Sequence, residues 1–177
     1  AIFSTYDLRG PGMPGNINWI EDGMKYSFTE NNRKSQEIRT KDPATGDEVM
    51  VFNSAEMTFP GTDEPFNYRS FSWTKDYRYL LFQTRFDPIY RNSGNADYFF
   101  YSLEDKTLAP LVDHAFTAEV SPDGKKLGYG KDGEIYTYDF ASGDHTRLTF
   151  DARENVYNGR FGWAYEEEFG MVQAWEW

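Results

Sequence analysis

Three stretches of this chain repeat one pattern, and that repeat limits the folds open to it. Trp19-Ile20-Glu21-Asp22-Gly23-Met24-Lys25-Tyr26-Ser27-Phe28 is the first, Trp73-Thr74-Lys75-Asp76-Tyr77-Arg78-Tyr79-Leu80-Leu81-Phe82 the second, and Val120-Ser121-Pro122-Asp123-Gly124-Lys125-Lys126-Leu127-Gly128-Tyr129 the third. Each reads as an apolar strand end, a two-residue step, an Asp-Gly-type turn and an aromatic-rich strand. Asp-Gly suits a tight turn because glycine tolerates positive φ. The anchors at 19, 73 and 120 are 54 and 47 residues apart, and Trp177 falls where a fourth copy would begin.

A second hairpin follows each copy. Ser35 to Thr40 and Glu48 to Phe52 flank the turn Pro43-Ala44-Thr45-Gly46; Tyr98 to Tyr101 and Leu108 to Val112 flank Glu104-Asp105-Lys106; Ile135 to Phe140 and Thr146 to Phe150 flank Ala141-Ser142-Gly143-Asp144. Four short strands in about fifty residues are the mark of a β-propeller blade. The strands do not alternate cleanly, as expected when both faces are buried between neighbouring blades. The sequence therefore predicts an all-β chain, a partial β-propeller of about three four-stranded antiparallel blades. The blades fall near 1–60, 61–115 and 116–177, and a short helical segment carries the run Glu166-Glu167-Glu168. A β-sandwich with coincidental hairpin spacing is the alternative. About three blades cannot close a ring, and closure is how a propeller protects its edges. The chain is thus expected to be the N-terminal fragment of a larger propeller domain. The remaining blades would come from a separate polypeptide, a second copy in a homo-oligomer, or sequence that has been lost.

Composition narrows the function. With 177 residues, 39% hydrophobic and 19% aromatic, the chain can bury a real core. A net charge of −11 argues against nucleic acid and against an anionic membrane surface, and it would steer a cationic ligand favourably. There is no cysteine and no Asn-x-Ser/Thr sequon, so neither a disulfide framework nor a thiolate metal site can form. Neither a signal-peptide apolar region nor a long apolar run is present. No metal-ligand spacing or phosphate loop appears, and no cofactor is expected. The Asp-Gly pairs lack the acidic spacing of calcium loops. His114, before a strand, and His145, in a hairpin turn, carry no partner pattern for catalysis or metal binding.

The segment Tyr157-Asn158-Gly159-Arg160-Phe161-Gly162-Trp163-Ala164-Tyr165-Glu166-Glu167-Glu168-Phe169 carries the chemistry. Three carboxylates stand between bulky aromatics just after an Asn-Gly turn. In a partly dry site carboxylates repel one another until a cation arrives, and an amine is the natural biological candidate. A run of three acids is otherwise most often a solvated face.

Tyr157-Asn158-Gly159, Trp163 and Tyr165-Glu166-Glu167-Glu168 together resemble the N-terminal propeller of the dipeptidyl peptidase IV family, in the prolyl oligopeptidase clan of serine peptidases. Tyr90-Arg91-Asn92-Ser93 with Ala96-Asp97-Tyr98 resembles that family's Arg-bearing loop and the strand after it. Ser121-Pro122-Asp123-Gly124 and Ile135-Tyr136-Thr137-Tyr138-Asp139 also fit. The resemblance weakens before about residue 65. Gly162 stands where relatives can carry Asp, and the loop from Arg85 to Tyr90 aligns with a small length change.

The resemblance implies an eight-bladed propeller over an α/β-hydrolase domain that releases Xaa-Pro or Xaa-Ala dipeptides from peptides with a free N-terminus. It implies that Glu167 and Glu168 bind the substrate ammonium and that Arg91 contacts the carbonyl of the penultimate residue. An α-ammonium has three donors and a pKa near ~8, so two carboxylates can hold it in its charged form. A peptide without that amine leaves both charges uncompensated, which gives selectivity. No Gly-x-Ser-x-Gly elbow occurs, so the serine nucleophile and its hydrolase domain lie outside this chain. Trp163 and Tyr165 are expected to pack under the acidic run, and Tyr157 to sit in the core. The resemblance favours an extracytoplasmic setting. The competing reading is a non-catalytic, TolB-like propeller that binds a protein partner and needs no amine selectivity.

Overall fold

A computed structural model describes residues 15–31 and 35–177. The chain divides into two compact units, Ala1–Phe66 and Asn67–Trp177. In the first, β1 (Gly15–Ile20), β2 (Lys25–Asn31), β3 (Gln36–Lys41) and β4 (Glu48–Asn53) form an antiparallel meander in that order. Ser27, Phe28 and Thr29 are consecutive and all buried, so β2 is covered on both faces. Phe66 stands 6.0 Å from Phe52 and 4.9 Å from Phe59, ring centre to ring centre, at the base of this sheet.

The second unit holds two such sheets. One is β5 (Ser70–Trp73), β6 (Tyr79–Pro88), β7 (Gly94–Ser102) and β8 (Thr107–Ala115). The other is β9 (Ala118–Val120), β10 (Lys126–Lys131), β11 (Glu134–Asp139) and β12 (His145–Arg147). Leu81, Ala96, Tyr98, Val112, Leu127 and Tyr129 share one buried cluster across both sheets. The ring of Phe100 is sandwiched between Tyr79 at 4.3 Å and Phe140 at 5.0 Å. Every sheet is a sequential meander, without the crossovers of a Greek-key sandwich. The fold is the partial β-propeller anticipated above, nearly all-β, with one short α-helix among the described residues, α1 (Trp163–Phe169), carrying the glutamate run.

The repeated turns share their chemistry. In one sheet Thr74 Oγ1 donates to Asp76 Oδ1 at 2.7 Å and accepts the Tyr79 N–H at 3.1 Å. In the next, Ser121 Oγ donates to Asp123 Oδ1 at 2.7 Å and accepts the Lys126 N–H at 2.9 Å. Gly124 takes φ of +74° there, whereas Tyr77 adopts +56° at the matching place without being glycine. Hydroxyl and carboxylate therefore specify the turn, and glycine only eases it.

Two predictions need correcting. The last strand ends at Arg147 and not at Phe150, because Thr149 Oγ1 takes the Ile135 N–H at 3.0 Å in place of a backbone rung. His114 lies within β8 and His145 opens β12, so neither stands outside the strands.

Two local features aim the site. Gly94 opens β7 so close to the bulged end of β6 that a β-carbon would lie 2.3 Å from Asp87 O. That approach forms a tight loop bearing Arg91, closed by N–H bonds from Ile89 and Tyr90 to Ser93 O at 2.9 and 3.2 Å. Farther along, residues 159–161 pair with 172–174: Phe161 N–H reaches Val172 O at 3.3 Å and Ala174 N–H reaches Gly159 O at 3.0 Å. Helix α1 is looped out from this neck.

Candidate functional site

Helix α1 has two turns. Gly162 precedes it with extended backbone, and Gly170 ends it at φ of +66° with its N–H on Glu166 O at 2.9 Å. Consecutive helical residues point about 100° apart, so three successive glutamates cannot share a face. Glu166 turns inward. It is 2% exposed, and one carboxylate oxygen accepts the N–H of Asn92 at 2.6 Å and of Ser93 at 3.1 Å. Burial alone would raise its pKa. Hydrogen bonding from Ser93 and Asn92, with the charge of Arg160, outweighs burial and holds the carboxyl below the ordinary range.

That contact ties the helix to the loop on which Arg91 stands. Arg91 Nη1 lies 3.7 Å from Glu167 Oε2; the arginine side chain is 78% exposed and the glutamate 25%. Glu168 is exposed one residue on. Both acids lie in the last turn, where the helix dipole is unfavourable to anions and the helix itself carries no basic residue. The structure thus brings Arg91 and Glu167 together, while Glu168, the next residue, is exposed.

The Tyr157-Asn158-Gly159 turn is anchored by a second buried acid that the sequence reading missed. Glu134 accepts from Arg147 Nη2 at 2.7 Å, from the Ala152 N–H at 2.7 Å, from Asn158 Nδ2 at 3.1 Å and from Thr149 Oγ1. Burial pushes its pKa up, but the bonds from Thr149, Ala152 and Arg147 win and set it at about 2. Asn158 also donates its N–H to Gly133 O at 2.8 Å. Glu166 was missed as well, although three acids on a two-turn helix signal that one of them faces inward.

The aromatics differ from expectation. Tyr157, Trp163 and Tyr165 are exposed, and none is core. A helix this short has one inward face, and Glu166 occupies it. Tyr165 stacks instead on Phe161 at 5.3 Å. His114 Nε2 lies 3.0 Å from Asn95 Nδ2, and His145 Nδ1 lies 2.8 Å from the Tyr129 hydroxyl. Among the described residues no three His, Asp or Glu side chains cluster so as to hold a metal. No helix among them is long and apolar enough to cross a membrane.

Residues 74–177 match the family described as the dipeptidyl peptidase IV (DPP IV) N-terminal region. Dipeptidyl peptidase 4 of Sus scrofa is 30% identical over 117 residues, which is 63% of this chain and 15% of that protein. A Schizosaccharomyces pombe protein carrying a dipeptidyl aminopeptidase name is 29% identical over 158 residues, 86% of this chain and 19% of its own length. The crystal structure of Porphyromonas gingivalis dipeptidyl peptidase 4 superposes with a TM-score of 0.75 at 27% identity, covering 90% of this chain and 23% of that one. The chain therefore spans only 15% and 19% of those two curated relatives. The matched segment contains both the Arg91 loop and the glutamate run.

Proposed function

Because this chain belongs to the dipeptidyl peptidase IV N-terminal region family, we propose that it is the substrate-anchoring part of a dipeptidyl peptidase IV-like serine exopeptidase. Glu167 and Glu168 hold the ammonium of a peptide with a free N-terminus. Arg91 donates to the carbonyl of the penultimate residue. With the terminus fixed, a nucleophile on a separate α/β-hydrolase domain meets the bond two residues on, and an Xaa-Pro or Xaa-Ala dipeptide leaves. The remaining blades and that domain are not among these 177 residues, whose blades we take as roughly 1–60, 61–115 and 116–177.

The observation that carries the reading is the 3.7 Å approach of Arg91 to Glu167, held by the Glu166 carboxylate on the next loop residues. Two acids and one arginine at an exposed loop can exchange the Arg91–Glu167 contact for contacts to an ammonium and a carbonyl. An exposed ion pair of this kind is worth only about 0–1 kcal/mol, so substrate can displace it. A TolB-like protein-binding propeller would need no such pairing, and the family assignment favours the peptidase.

Calorimetry on the full-length protein tests it, with an Ala-Pro-headed peptide and its N-acetyl twin. The free amine should bind at least about tenfold more tightly, the scale of one lost charge-assisted hydrogen bond. Equal affinity would overturn the clamp.

A further inference from the structure

We propose that Arg160 is a positioning residue that sets the separation of Arg91 from Glu167, an inference that rests on the clamp reading above. Arg160 sits in the neck from which α1 is looped out, its backbone bridged to Gln173. Its guanidinium carbon stands 5.0 Å from the ring centre of Tyr157, 5.3 Å from Tyr90 and 5.3 Å from Phe116. A cation within about 6 Å of a ring face is attracted to it, so one side chain gathers three rings.

Those rings come from three parts of the chain. Tyr157 precedes the neck and is anchored through Asn158. Phe116 links β8 to β9 and is anchored by its N–H on Gly130 O at 2.7 Å. Tyr90 belongs to the loop whose next residue is Arg91. Tyr90 has its own backbone bond to Ser93 O within the loop, so what the guanidinium adds is a tie between the Tyr90 ring and the two rings outside that loop.

Close packing does not supply that function. Ile89, Phe116, Tyr157 and Arg160 border a cavity of about 160 Å³, so this side of the loop lacks a packed wall. Arg160 holds the Arg91 loop from the neck, and Glu166 holds it from the helix through Asn92 and Ser93. Arg160 also lowers the Glu166 pKa, which places the two anchors within electrostatic reach of each other. Together they leave Arg91 and Glu167 a defined gap for an ammonium and a carbonyl.

The test compares the full-length wild type with Arg160→Lys, Arg160→Met, Tyr90→Leu and Glu167→Gln. KM and kcat are read on Ala-Pro-p-nitroanilide, Kd on the Ala-Pro peptide and its N-acetyl twin, and Tm on each variant. Arg160→Met is expected to raise KM and the free-amine Kd on the order of tenfold, with a smaller change in kcat. Lysine keeps a cation over the rings but loses the planar guanidinium, so it should restore part of the loss. Tyr90→Leu, which removes only the ring on the Arg91 loop, should reproduce the defect and stands in if the methionine variant does not fold. The proposal is overturned if both Arg160→Met and Tyr90→Leu keep wild-type KM and free-amine preference. It is equally overturned if lysine rescues nothing, or if KM stays fixed while kcat drops in proportion to a lowered folded fraction. If Glu167→Gln changes neither KM nor the preference, the clamp itself fails, and Arg160 with it. If Glu167→Gln matters and Arg160→Met does not, only the positioning role falls. Should no dipeptide be released, the two Kd values decide between the same outcomes.

Discussion

Asn92 donates its backbone N–H to the buried carboxylate of Glu166 at 2.6 Å, across a sequence separation of 74 residues. Ser93 adds a second bond to the same oxygen at 3.1 Å. The acid that looks interchangeable with its two neighbours is thus the bracket between helix and loop. Glu167 and Arg91 face each other because Glu166 does not face the solvent.

Replacing Glu166 by alanine leaves the Ser93 amide without its acceptor in a buried site and the Asn92 amide in a partly buried one. An unsatisfied buried group costs about 1–3 kcal/mol. Amide hydrogen exchange at Asn92 and Ser93 should accelerate by about tenfold for each ~1.4 kcal/mol lost. KM for a free-amine substrate should rise in parallel. Unchanged exchange at both amides would show that the loop holds itself.

Glu167→Gln and Glu168→Gln bear on the clamp directly. Each should cost about 1.5–3 kcal/mol in transition-state binding of a free-amine substrate, the scale of a hydrogen bond to a charged group. Neither should lower Tm measurably, because both side chains reach solvent and exposed pairs contribute little. An unaltered kcat/KM on an Xaa-Pro substrate counts against the assignment.

Arg91 separates stability from binding. At 78% exposure its pairing with Glu167 adds little to folding, so Arg91→Met should leave Tm essentially unchanged. Its loss should still reduce kcat/KM by about 10–100-fold, the scale of a hydrogen bond from a charged donor, about 1.5–3 kcal/mol. A fall in Tm without a fall in kcat/KM would assign it a structural role instead.

The hairpins and the family resemblance were legible because their signals are local. Thr74 with Asp76, and Ser121 with Asp123, fix their turns within a few residues, and the period follows from those turns. Motif position singled out Arg91 and Glu167, and the structure places their side chains 3.7 Å apart. Glu166 was not, because which of three acids turns inward depends on Asn92 and Ser93, far away in sequence. Exposure of Tyr157, Trp163 and Tyr165 was hidden for the same reason. Apolar character marks a residue as able to be buried, while a two-turn helix on a neck has little surface to bury against. The end of β12 was missed because a side chain, Thr149, replaces a ladder rung.

Acid should weaken the fold through Glu134. Its carboxyl is held at about 2 in the folded chain, below the ordinary glutamate value of 4.5. A depressed folded pKa contributes stability that is present above the unfolded value and lost as pH falls through the folded one. The window is therefore about pH 4.5 down to about 2. In Glu134→Gln that contribution is gone at every pH. The Tm gap between wild type and variant should be widest near neutrality and narrow steadily through the window. A gap that stays constant from pH 7 to pH 2 would remove Glu134 from the acid response.

Gly159 gives the sharpest steric test of the neck. It sits at φ of +75°, and a β-carbon there would lie 2.9 Å from Trp175 Cδ1 and 3.0 Å from Ile135 Cγ1. Gly143 has nearly the same φ, +76°, but its nearest obstacle is the Tyr138 hydroxyl at 3.9 Å. Alanine at either position meets the left-handed penalty of about 1–2 kcal/mol. Only at 159 must it also displace Trp175, whose indole N–H is held by Thr117 Oγ1 at 3.2 Å. Gly159→Ala should therefore lower Tm clearly more than Gly143→Ala and should raise KM, since the neck carries α1. Equal Tm losses would mean that Trp175 moves aside freely and that the neck does not depend on its packing.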